Sequence, residues 1–591
     1  MREQDVRNIV SLYRARIAGE KGTVIKDWGG RISIALVYPN YYRVGMSNLG
    51  FQVVYDLLNK RDDVVAERAF LPEEQEMSLR LGAGKGLFTL ESQSPLKKFD
   101  IIAFSLSFEN DYPNILTILE TGRIPLLQKE RDDPCPIIMA GGITSFLNPE
   151  PIALFFDLFL LGEAETNLDE FIDLFKEIRV AGADRKETLE RLERDILSVY
   201  VPSLYHIEYN EDGTIQSRSP VLRDAVSKSM STCPKSSGVS VNRSCILTKD
   251  TEFSDTILVE LGRGCGRSCR FCAAGYVYRP PRAHTKERIL DCVNNALNES
   301  GQMGLLSASV LDTPGIKDIL SNINEKGGSF SVSSLRADLL TEEILEQLKK
   351  AGQKSLAIAP EAGSERLRRL INKHLTNDQI INAVRLTARV SEFSLRLYFL
   401  IGLPTETKDD VDEILNLVKI IKHHMVKESR DRGKIGRIRL SVNCFIPKAF
   451  TPFQWFPMEE VASLKKKQKW LKKSIEKEGG VSVSFDVPKW AYIQTLLSAG
   501  DRRVSSILML GHRYEGDWAM AFRHSEINPD FFVLRPKGLD ENLPWDFIDH
   551  GIRKEYLIKE YMLALKEKES EICTVGDCDR CGVCKPIKNE H

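Results

Sequence analysis

Three cysteines, Cys265, Cys269 and Cys272, lie close together near the middle of the chain. Their Cys-x3-Cys-x2-Cys spacing places three thiols on one short, glycine-punctuated loop, Gly264–Cys272. Three thiolates can each bind one corner of a cuboidal iron–sulfur cluster, and the fourth iron is then open to chemistry. Zinc normally takes four ligands, commonly in Cys-x2-Cys pairs, so a zinc site fits this triad poorly. Three unrelated core cysteines are the remaining alternative.

A second group of four cysteines, Cys573, Cys578, Cys581 and Cys584, follows near the end of the sequence. Its overlapping Cys-x2-Cys spacing resembles ferredoxin-type cluster loops. Four ligands in one segment can complete an iron–sulfur cube without an open position, which suits electron transfer. The same thiols could instead hold a structural zinc ion. The sequence therefore predicts a metal centre here and leaves its metal open.

Alternating strands and helices from about 254 to 457 must position the first cysteine group. The predicted strands are apolar runs at 256–261, 304–309, 329–334, 355–359, 395–401 and 437–445. Such alternation predicts parallel strands, and in α/β barrels the chemistry lies at the carboxyl ends of the strands. The polar or glycine residues at those ends are Ser307, Ser309, Glu361, Arg366 and Gly402.

The cysteine spacing directly after a strand resembles the signature of the radical S-adenosylmethionine (radical SAM) superfamily. Phe271 stands where that family usually has an aromatic residue. The resemblance implies a partial (β/α)6 barrel whose open iron chelates S-adenosylmethionine. One electron from the cluster then cleaves the sulfonium to give a 5′-deoxyadenosyl radical, which abstracts a hydrogen atom. The catalytic residues would be Cys265, Cys269 and Cys272.

The resemblance also assigns roles in binding S-adenosylmethionine. Glu361 would accept hydrogen bonds from the ribose, in a motif similar to the methylthiotransferase branch, and Arg366 would pair with the methionyl carboxylate. Gly402 would let the backbone approach the adenine. Ser307 and Ser309 replace the common Gly-Gly-Glu form at the amino-group contact. For each residue an ordinary loop or helix-cap role is the alternative.

The region from about 30 to 165 predicts a second parallel, doubly wound sheet. Its apolar strands are 32–38, 100–105, 136–140 and 157–161, and ligands of such sheets bind at the carboxyl ends of the strands. This region resembles the cobalamin-binding domain that precedes many radical SAM cores. Where that family reads Asp-x-His-x-x-Gly, this chain has Asn40, Tyr42 and Gly45. The predicted cofactor-binding residues are Tyr42, Gly45, Ser105, Gly141 and Gly142; a Rossmann-like domain without a cofactor is the alternative.

Length and composition predict several domains without an overall basic or acidic bias. The chain has 591 residues, a net charge of −1 and twelve cysteines, so it is too long for one core. The charged start and the absence of a long apolar run predict neither signal peptide nor membrane helix. Clustered cysteines in such a chain predict metal binding in a cytoplasmic, low-oxygen setting. The predicted α/β domains comprise a helical arm (1–29), a Rossmann-like domain (30–200), a linker (201–253), the radical SAM core (254–457), an extension (458–570) and a four-cysteine tail (571–591).

The sequence predicts a radical SAM enzyme that modifies RNA or protein, with a flavodoxin- or ferredoxin-type electron donor and no membrane partner. Tailoring of a small metabolite and a non-catalytic iron–sulfur scaffold are the alternatives. A lysine-rich helix predicted at 459–479 could meet RNA phosphates, but a solvated surface is commoner. The aromatic, proline-rich run 445–455 either walls a substrate pocket or packs in the core.

Overall fold

An N-terminal parallel sheet is the first layer of the fold. The computed structural model describes residues 2–83, 86–221, 230–231, 240–576 and 578–584. The sheet order is β2-β1-β3-β4-β5-β6, and only β6 runs antiparallel. Its strands are β1 (Ile32–Tyr38), β2 (Val64–Phe70), β3 (Ile101–Ser105), β4 (Ile137–Gly141), β5 (Leu158–Leu160) and β6 (Val199–Tyr200). The strand order reverses between β1 and β3, which is where ligands of such sheets bind.

Helices surround this sheet and bury its apolar strands. They are α1 (Arg2–Ala18), α2 (Tyr42–Met46), α3 (Leu49–Lys60), α4 (Glu74–Ala83), α5 (Tyr112–Thr121), α6 (Ile143–Leu147), α7 (Ala164–Val180) and α8 (Arg185–Asp195). Every described residue of β1 is buried, as expected for a parallel sheet covered on both faces.

Short strands connect this domain to the next. A hairpin is formed by β7 (Tyr205–Tyr209) and β8 (Ile215–Pro220), and β9 (Met230–Ser231) pairs with β20 (Ile548–Asp549) near the end of the chain. Parts of the predicted linker (201–253), namely 222–229 and 232–239, lie outside the described residues.

The central strands form an open barrel made of two parallel sheets. The first contains β10 (Ile257–Glu260), β13 (Gln302–Leu306) and β14 (Ser329–Val332); the second contains β15 (Ser334–Leu335), β16 (Ser355–Glu361), β17 (Ser394–Ile401), β18 (Ile438–Cys444) and β19 (Val481–Phe485). The short strands β11 (Gly262–Arg263) and β12 (Arg282–Ala283) pair beside the cysteine loop. The predicted α/β class with parallel sheets is confirmed.

One strand prediction for this region was wrong, and one further strand was not predicted. The run predicted as one strand at 329–334 is divided at Ser333 between the two sheets. The sheet also continues past 457, because β19 pairs with β18. Its sequence Val-Ser-Val-Ser-Phe alternates between apolar and polar residues, and it follows the last of the six strand–helix units that the sequence predicted.

Helices cover the outer face of the open barrel, and further helices follow it. They are α9 (Ala274–Val277), α10 (Lys286–Glu299), α11 (Ile316–Glu325), α12 (Glu342–Lys350), α13 (Glu365–Leu370), α14 (Asn377–Val390), α15 (Lys408–Glu428), α16 (Val461–Ile475), α17 (Pro488–Ala499), α18 (Val504–Arg513), α19 (Trp518–His524), α20 (Asp530–Val533) and α21 (Lys554–Leu565). One buried apolar cluster includes Phe146, Tyr276 and Trp545, so it runs through all three regions. Within the described residues, no helix is long and apolar enough to cross a membrane.

Candidate active site and interdomain cavity

The first cysteine group lies on the loop that follows β10. Gly264 has φ +81°, and a Cβ atom there would lie 2.6 Å from the Tyr278 carbonyl oxygen, so the turn requires glycine. The Cys272 N–H donates to the Cys269 carbonyl at 3.1 Å. The thiols of Cys265, Cys269 and Cys272 are therefore held at the carboxyl edge of the first sheet, where the sequence predicted them.

Burial raises the pKa values of two of these thiols. The pKa of Cys269 is raised by burial, with Lys373 acting in the opposite direction, and burial raises the pKa of Cys272 to about 12. A metal must therefore displace protons when it binds here. Within the described ranges, no three His, Cys, Asp or Glu side chains are close enough to share one metal ion. Cysteines that bind separate corners of a cube stand further apart than ligands of a single ion.

Lys373 is a buried cation beside the cysteine loop, and sequence reasoning missed it. Its ammonium group lies 3.0 Å from a carboxylate oxygen of Glu361, and it is 9% exposed. Glu361 itself has φ +67° at the end of β16. Lys373 comes just after α13, where no local pattern separates it from a surface lysine, so only the fold reveals it.

Arg366 does not stand free for a ligand carboxylate. It pairs with Asp410 and with Glu567, the latter at 2.8 Å, and donates to the Thr405 carbonyl at 2.9 Å. Its predicted role with S-adenosylmethionine is therefore not supported. The pKa of Asp410 falls to about 2, because Arg366 and nearby hydroxyl donors outweigh its burial.

Gly402 occupies a tight turn next to α16. It has φ +80°, and an added Cβ would lie 2.9 Å from a methyl carbon of Leu464. Its N–H donates to Glu406 at 2.7 Å, and burial raises the pKa of Glu406 to about 6. Phe271 packs with Leu403 and with the aromatic run at 445–455. Local packing thus explains both residues.

A cavity of about 550 Å³ separates the N-terminal sheet from the barrel. It is lined by four predicted residues: Ser105, Gly141, Gly142 and Ser307. Gly264 and Ala274, which flank the cysteine loop, also line it. The remaining predicted serine, Ser309, donates instead to Asp312 at 2.6 Å. The carboxyl ends of both sheets therefore face one shared space.

Tyr42 and Gly45 do not line this cavity, which corrects their predicted role. Tyr42 is 2% exposed at the start of α2, and its hydroxyl bonds to Glu20 and to Thr248. Burial raises the pKa of Tyr42. A Cβ on Gly45 would lie 2.5 Å from the Phe70 ring. The short helix turns both residues into the core below the sheet.

Ion pairs join the two domains along the cavity wall. Arg263 binds Glu163 at 2.9 Å and both Glu165 and Glu260 at 2.8 Å. Burial opposes the ionisation of Glu165, but Arg263 outweighs it and lowers the pKa of Glu165. Arg282 also pairs with Glu163. These contacts fix the loop between β5 and α7 against the segment that leads into the cysteine loop.

The four-cysteine tail packs directly on the first cysteine loop. The Cys573 N–H donates to the Gly266 carbonyl at 2.8 Å. Asn372 donates to the Ser268 carbonyl and to the Ser570 hydroxyl, both at 3.1 Å. Arg270, fully buried, donates to the Lys568 carbonyl at 2.7 Å. Both cysteine groups are therefore anchored to one piece of backbone.

Arg279 lies between the two cysteine groups. It is 3% exposed and donates to the Ser268 hydroxyl at 2.7 Å. Its guanidinium lies over the rings of Tyr276 and Tyr556, at 4.7 and 5.1 Å. Among the described residues its charge interacts with Tyr556, Tyr276 and Cys581 and with no carboxylate, and it opposes the rise of the Cys573 pKa that burial causes. A buried cation without a carboxylate partner points to another source of negative charge.

Comparisons with known proteins agree with this architecture. Residues 50–202 match radical SAM proteins, N-terminal, and residues 259–418 match the radical SAM superfamily. An uncharacterized protein of Methanocaldococcus jannaschii is 31% identical over 480 residues, covering 80% of this chain and 90% of that protein. The chain belongs to the radical SAM superfamily and is a radical SAM enzyme with the N-terminal domain of that group.

Two curated relatives of lower identity each match less than a third of this chain. The ribosomal protein uS12 methylthiotransferase RimO of a Thermotoga species is 26% identical over 188 residues, which are 29% of this chain and 43% of that protein. The tRNA-2-methylthio-N(6)-dimethylallyladenosine synthase of Clostridium botulinum is 22% identical over 187 residues, 29% of this chain and 42% of that enzyme. The cobalamin-dependent radical enzyme OxsB with aqua-cobalamin bound aligns over 95% of this chain and 85% of its own, with 14% identity and a TM-score of 0.44.

Proposed function

We propose that Cys265, Cys269 and Cys272 hold a 4Fe–4S cluster at which S-adenosylmethionine is reductively cleaved beside the interdomain cavity. The observation that carries this proposal is that Gly264 and Ala274, on either side of the three thiols, line the cavity. When bound, the cluster and S-adenosylmethionine supply one-electron chemistry that removes a hydrogen atom from an unreactive carbon. The chain supplies the ligands, the charge balance and the enclosed space.

Lys373 and Ser307 have distinct roles in this proposal. Lys373 places a buried positive charge near Cys269, which favours the thiolate form that binds iron. Glu361 fixes the position of Lys373 through their 3.0 Å contact. The Ser307 hydroxyl lies at the cavity wall, where it can bond to a polar group of S-adenosylmethionine.

We also propose cobalamin as an occupant of the cavity. The N-terminal sheet presents Gly141 and Gly142 at its carboxyl edge, and Gly142 has φ +103°. A Cβ there would lie 2.3 Å from the Leu106 carbonyl oxygen, so bare backbone forms this edge. None of the described residues lining the cavity is a histidine. A corrin held here would therefore have no histidine ligand from this wall.

For the tail we propose a second iron–sulfur cluster on Cys573, Cys578, Cys581 and Cys584. Four thiolates around iron or zinc carry a net negative charge, and Arg279 is a buried cation next to them without a carboxylate partner among the described residues. The direct contact between Cys573 and Gly266 suits electron transfer between two clusters. A zinc ion on the same four thiolates would also leave a net negative charge beside Arg279. Metal analysis therefore has to distinguish an iron–sulfur cluster from zinc.

Removal of one thiol from each group tests both assignments. The protein is purified without oxygen and reconstituted, and iron, sulfide, zinc and cobalt are counted before 5′-deoxyadenosine is assayed with dithionite. We expect about eight irons in the wild type and about four in Cys269→Ala, which makes no 5′-deoxyadenosine. Cys581→Ala should also lose about four irons. Cys292→Ala, on α10, is the matched control and should match the wild type.

Several results would contradict these assignments. Full iron content and 5′-deoxyadenosine in Cys269→Ala would overturn the active-site proposal. About four irons and one zinc in the wild type would make the tail a zinc site. The absence of cobalt from protein produced in cells grown with cobalamin would contradict the proposal that cobalamin binds.

We propose RNA or protein as the substrate and a flavodoxin or ferredoxin as the electron donor. The proposal is supported by the methylthiotransferase relatives, whose names specify a transfer RNA adenosine and a ribosomal protein. It predicts that transfer RNA or ribosomes increase 5′-deoxyadenosine formation. If neither transfer RNA nor ribosomes increase 5′-deoxyadenosine formation, and a deletion strain has an altered small-molecule profile, the small-metabolite alternative would be favoured.

A further inference from the structure

The inner face of the open barrel carries arginines without carboxylate partners. A groove of about 720 Å³ is lined by Arg396, Arg437 and Arg439, and none of its described lining residues is Asp or Glu. Nine of the other fourteen described arginines between 254 and 457 pair with a carboxylate, for example Arg385 with Glu428. The three groove arginines have no such ion pair within the described part of the chain, and Arg396 and Arg439 are exposed. The groove is therefore a concentrated positive surface on a chain of net charge −1.

The strand register arranges these side chains in two rows. Arg396 on β17 pairs with Arg439 on β18, which pairs with Ser482 on β19. Two residues further along, Tyr398, Ser441 and Ser484 form the next row in the same way. Tyr398 is half-buried and lies next to the groove lining, of which Ser441 and Ser484 are part. Neighbouring strands lie about 4.8 Å apart and the rows about 6.6 Å apart. The face thus presents two guanidinium groups, three hydroxyls of serine and one aromatic ring in a regular array.

β19 is the edge strand of the five-stranded sheet, and Arg396, Arg439 and Ser482 on this face are exposed. The alternate residues Leu395, Leu397 and Leu440 are buried against the outer helices, so the polar set points into the barrel. The groove lies at the amino ends of the strands. Arg396 precedes Gly402 by six residues along one strand, which is about 20 Å. A long ligand bound in the groove could therefore extend from the amino ends of the strands towards their carboxyl edge, where the cysteine loop lies.

We propose that this groove binds a single-stranded RNA segment of the substrate. Guanidinium groups bind phosphates in a bidentate manner, and an aromatic ring on an open sheet face stacks with a base. Serine hydroxyls can bond to the 2′-hydroxyl, the group that distinguishes RNA from DNA. This inference deepens the proposed function, on which it rests for its link to catalysis, and selects RNA over a protein substrate.

Binding of a fluorescein-labelled uridine 20-mer to the reconstituted full-length protein tests the proposal. Fluorescence anisotropy is measured at several salt concentrations for the wild type and for the double variant Arg396→Gln/Arg439→Gln. We expect the variant to bind at least 10-fold more weakly, with the slope of log K against log salt reduced by about 1.4, because two phosphate contacts are lost. Tyr398→Ala should weaken binding at least 5-fold at unchanged salt slope.

The control is Lys465→Gln/Lys469→Gln, which removes the same charge from exposed positions on the outer helix α16. It should bind as the wild type does. Thermal melting and iron content are measured for each variant, so that misfolding is recognised.

Three results would overturn the inference. They are equal losses in the groove and control variants, equal binding of a deoxyuridine 20-mer, and groove-dependent binding of polyglutamate, which would indicate an acidic peptide. The assay contains neither S-adenosylmethionine nor reductant. If the groove does not bind RNA, the 5′-deoxyadenosine result is therefore unaffected. If the protein does not cleave S-adenosylmethionine, the RNA-binding result is unaffected.

Discussion

Asp111, at the carboxyl edge of the N-terminal sheet, shows how burial shifts a single carboxyl group. It is 7% exposed and accepts a hydrogen bond from the Asn40 amide at 2.8 Å. Burial, opposed by that bond and assisted by Glu109, raises the pKa of Asp111 from 3.8 to about 6. Since the folded protein then holds the proton more tightly than the unfolded chain, this group lowers stability as the pH rises from about 4 to 6.

Asp111→Asn should therefore stabilise the protein most at neutral pH. Asparagine is neutral at every pH and keeps the oxygen that accepts from Asn40. We expect the free energy of unfolding to rise by about 1–3 kcal/mol at pH 7.5 and by about half of that at pH 5. Urea denaturation at both pH values measures the change. Asp291→Asn, on the exposed side of α10, should show no such pH dependence, and an equal gain in that variant would refute the explanation.

At the scale of elements, the loop after β16 packs so closely on α15 that one of its positions must be glycine. A Cβ on Gly363 would lie 2.2 Å from the Ile414 nitrogen and 2.5 Å from the Glu413 carbonyl carbon. Both are helix backbone atoms, which cannot move aside like a flexible side chain. The contact therefore fixes α15 relative to the loop that follows Glu361.

Gly363→Ala should separate this loop from α15. We expect a loss of about 3 kcal/mol in the free energy of unfolding, because overpacking against backbone forces the whole helix to shift. The melting temperature should fall by several degrees, as measured by circular dichroism. In Gly479→Ala nothing lies within 4 Å of the added atom, so its melting temperature should stay unchanged; a similar fall there would mean that the effect is not one of packing.

In the N-terminal sheet, the strands that the sequence predicted are those whose apolar runs are continuous. Strand β1 was found because all of its residues are buried and all but one of them are apolar. Strand β2 was missed because it contains Glu67 and Arg68, both buried. Arg68 pairs there with Glu20 at 2.6 Å and with Glu91 at 2.7 Å. These partners are distant in sequence, and so no local pattern distinguishes the pair from a surface turn.

In the candidate site, too, the sequence predicted the residues that a local pattern marks and missed those that depend on distant contacts. The cysteine spacing located both thiol groups, and the carboxyl ends of the strands located Ser105, Gly141, Gly142 and Ser307 at the cavity. Tyr42 was misplaced because α2 begins at that residue and turns it inwards. Lys373 and Arg279 depend on contacts formed only after folding, and no motif marks them.

At the scale of the whole molecule, Lys448 links the barrel to the N-terminal sheet. Its ammonium group pairs with Glu109, which also accepts from Gln494 at 2.9 Å. Glu109 is only 4% exposed. The run at 445–455 thus packs in the core and also joins the two domains whose edges enclose the cavity.

Lys448→Met should loosen this junction by leaving a buried carboxylate without its cation. We expect a loss of about 2–4 kcal/mol in stability and faster hydrogen exchange in β3 and α17. Adding Glu109→Gln should restore most of the protection, since the unpaired charge is then gone. Lys489→Met removes an exposed lysine from α17 and serves as the control. Unchanged exchange in Lys448→Met would show that apolar packing alone holds the domains together.

The bond from Arg270 to the Lys568 carbonyl has a consequence for biogenesis. The two residues are separated by 298 positions, which a ribosome takes roughly 15–60 s to add. During that interval the nascent chain already displays Cys265, Cys269 and Cys272, while the segment that buries Arg270 has not been made. If the proposed cluster is inserted during that interval, insertion would precede closure, and the arriving end of the chain would then cover the loop.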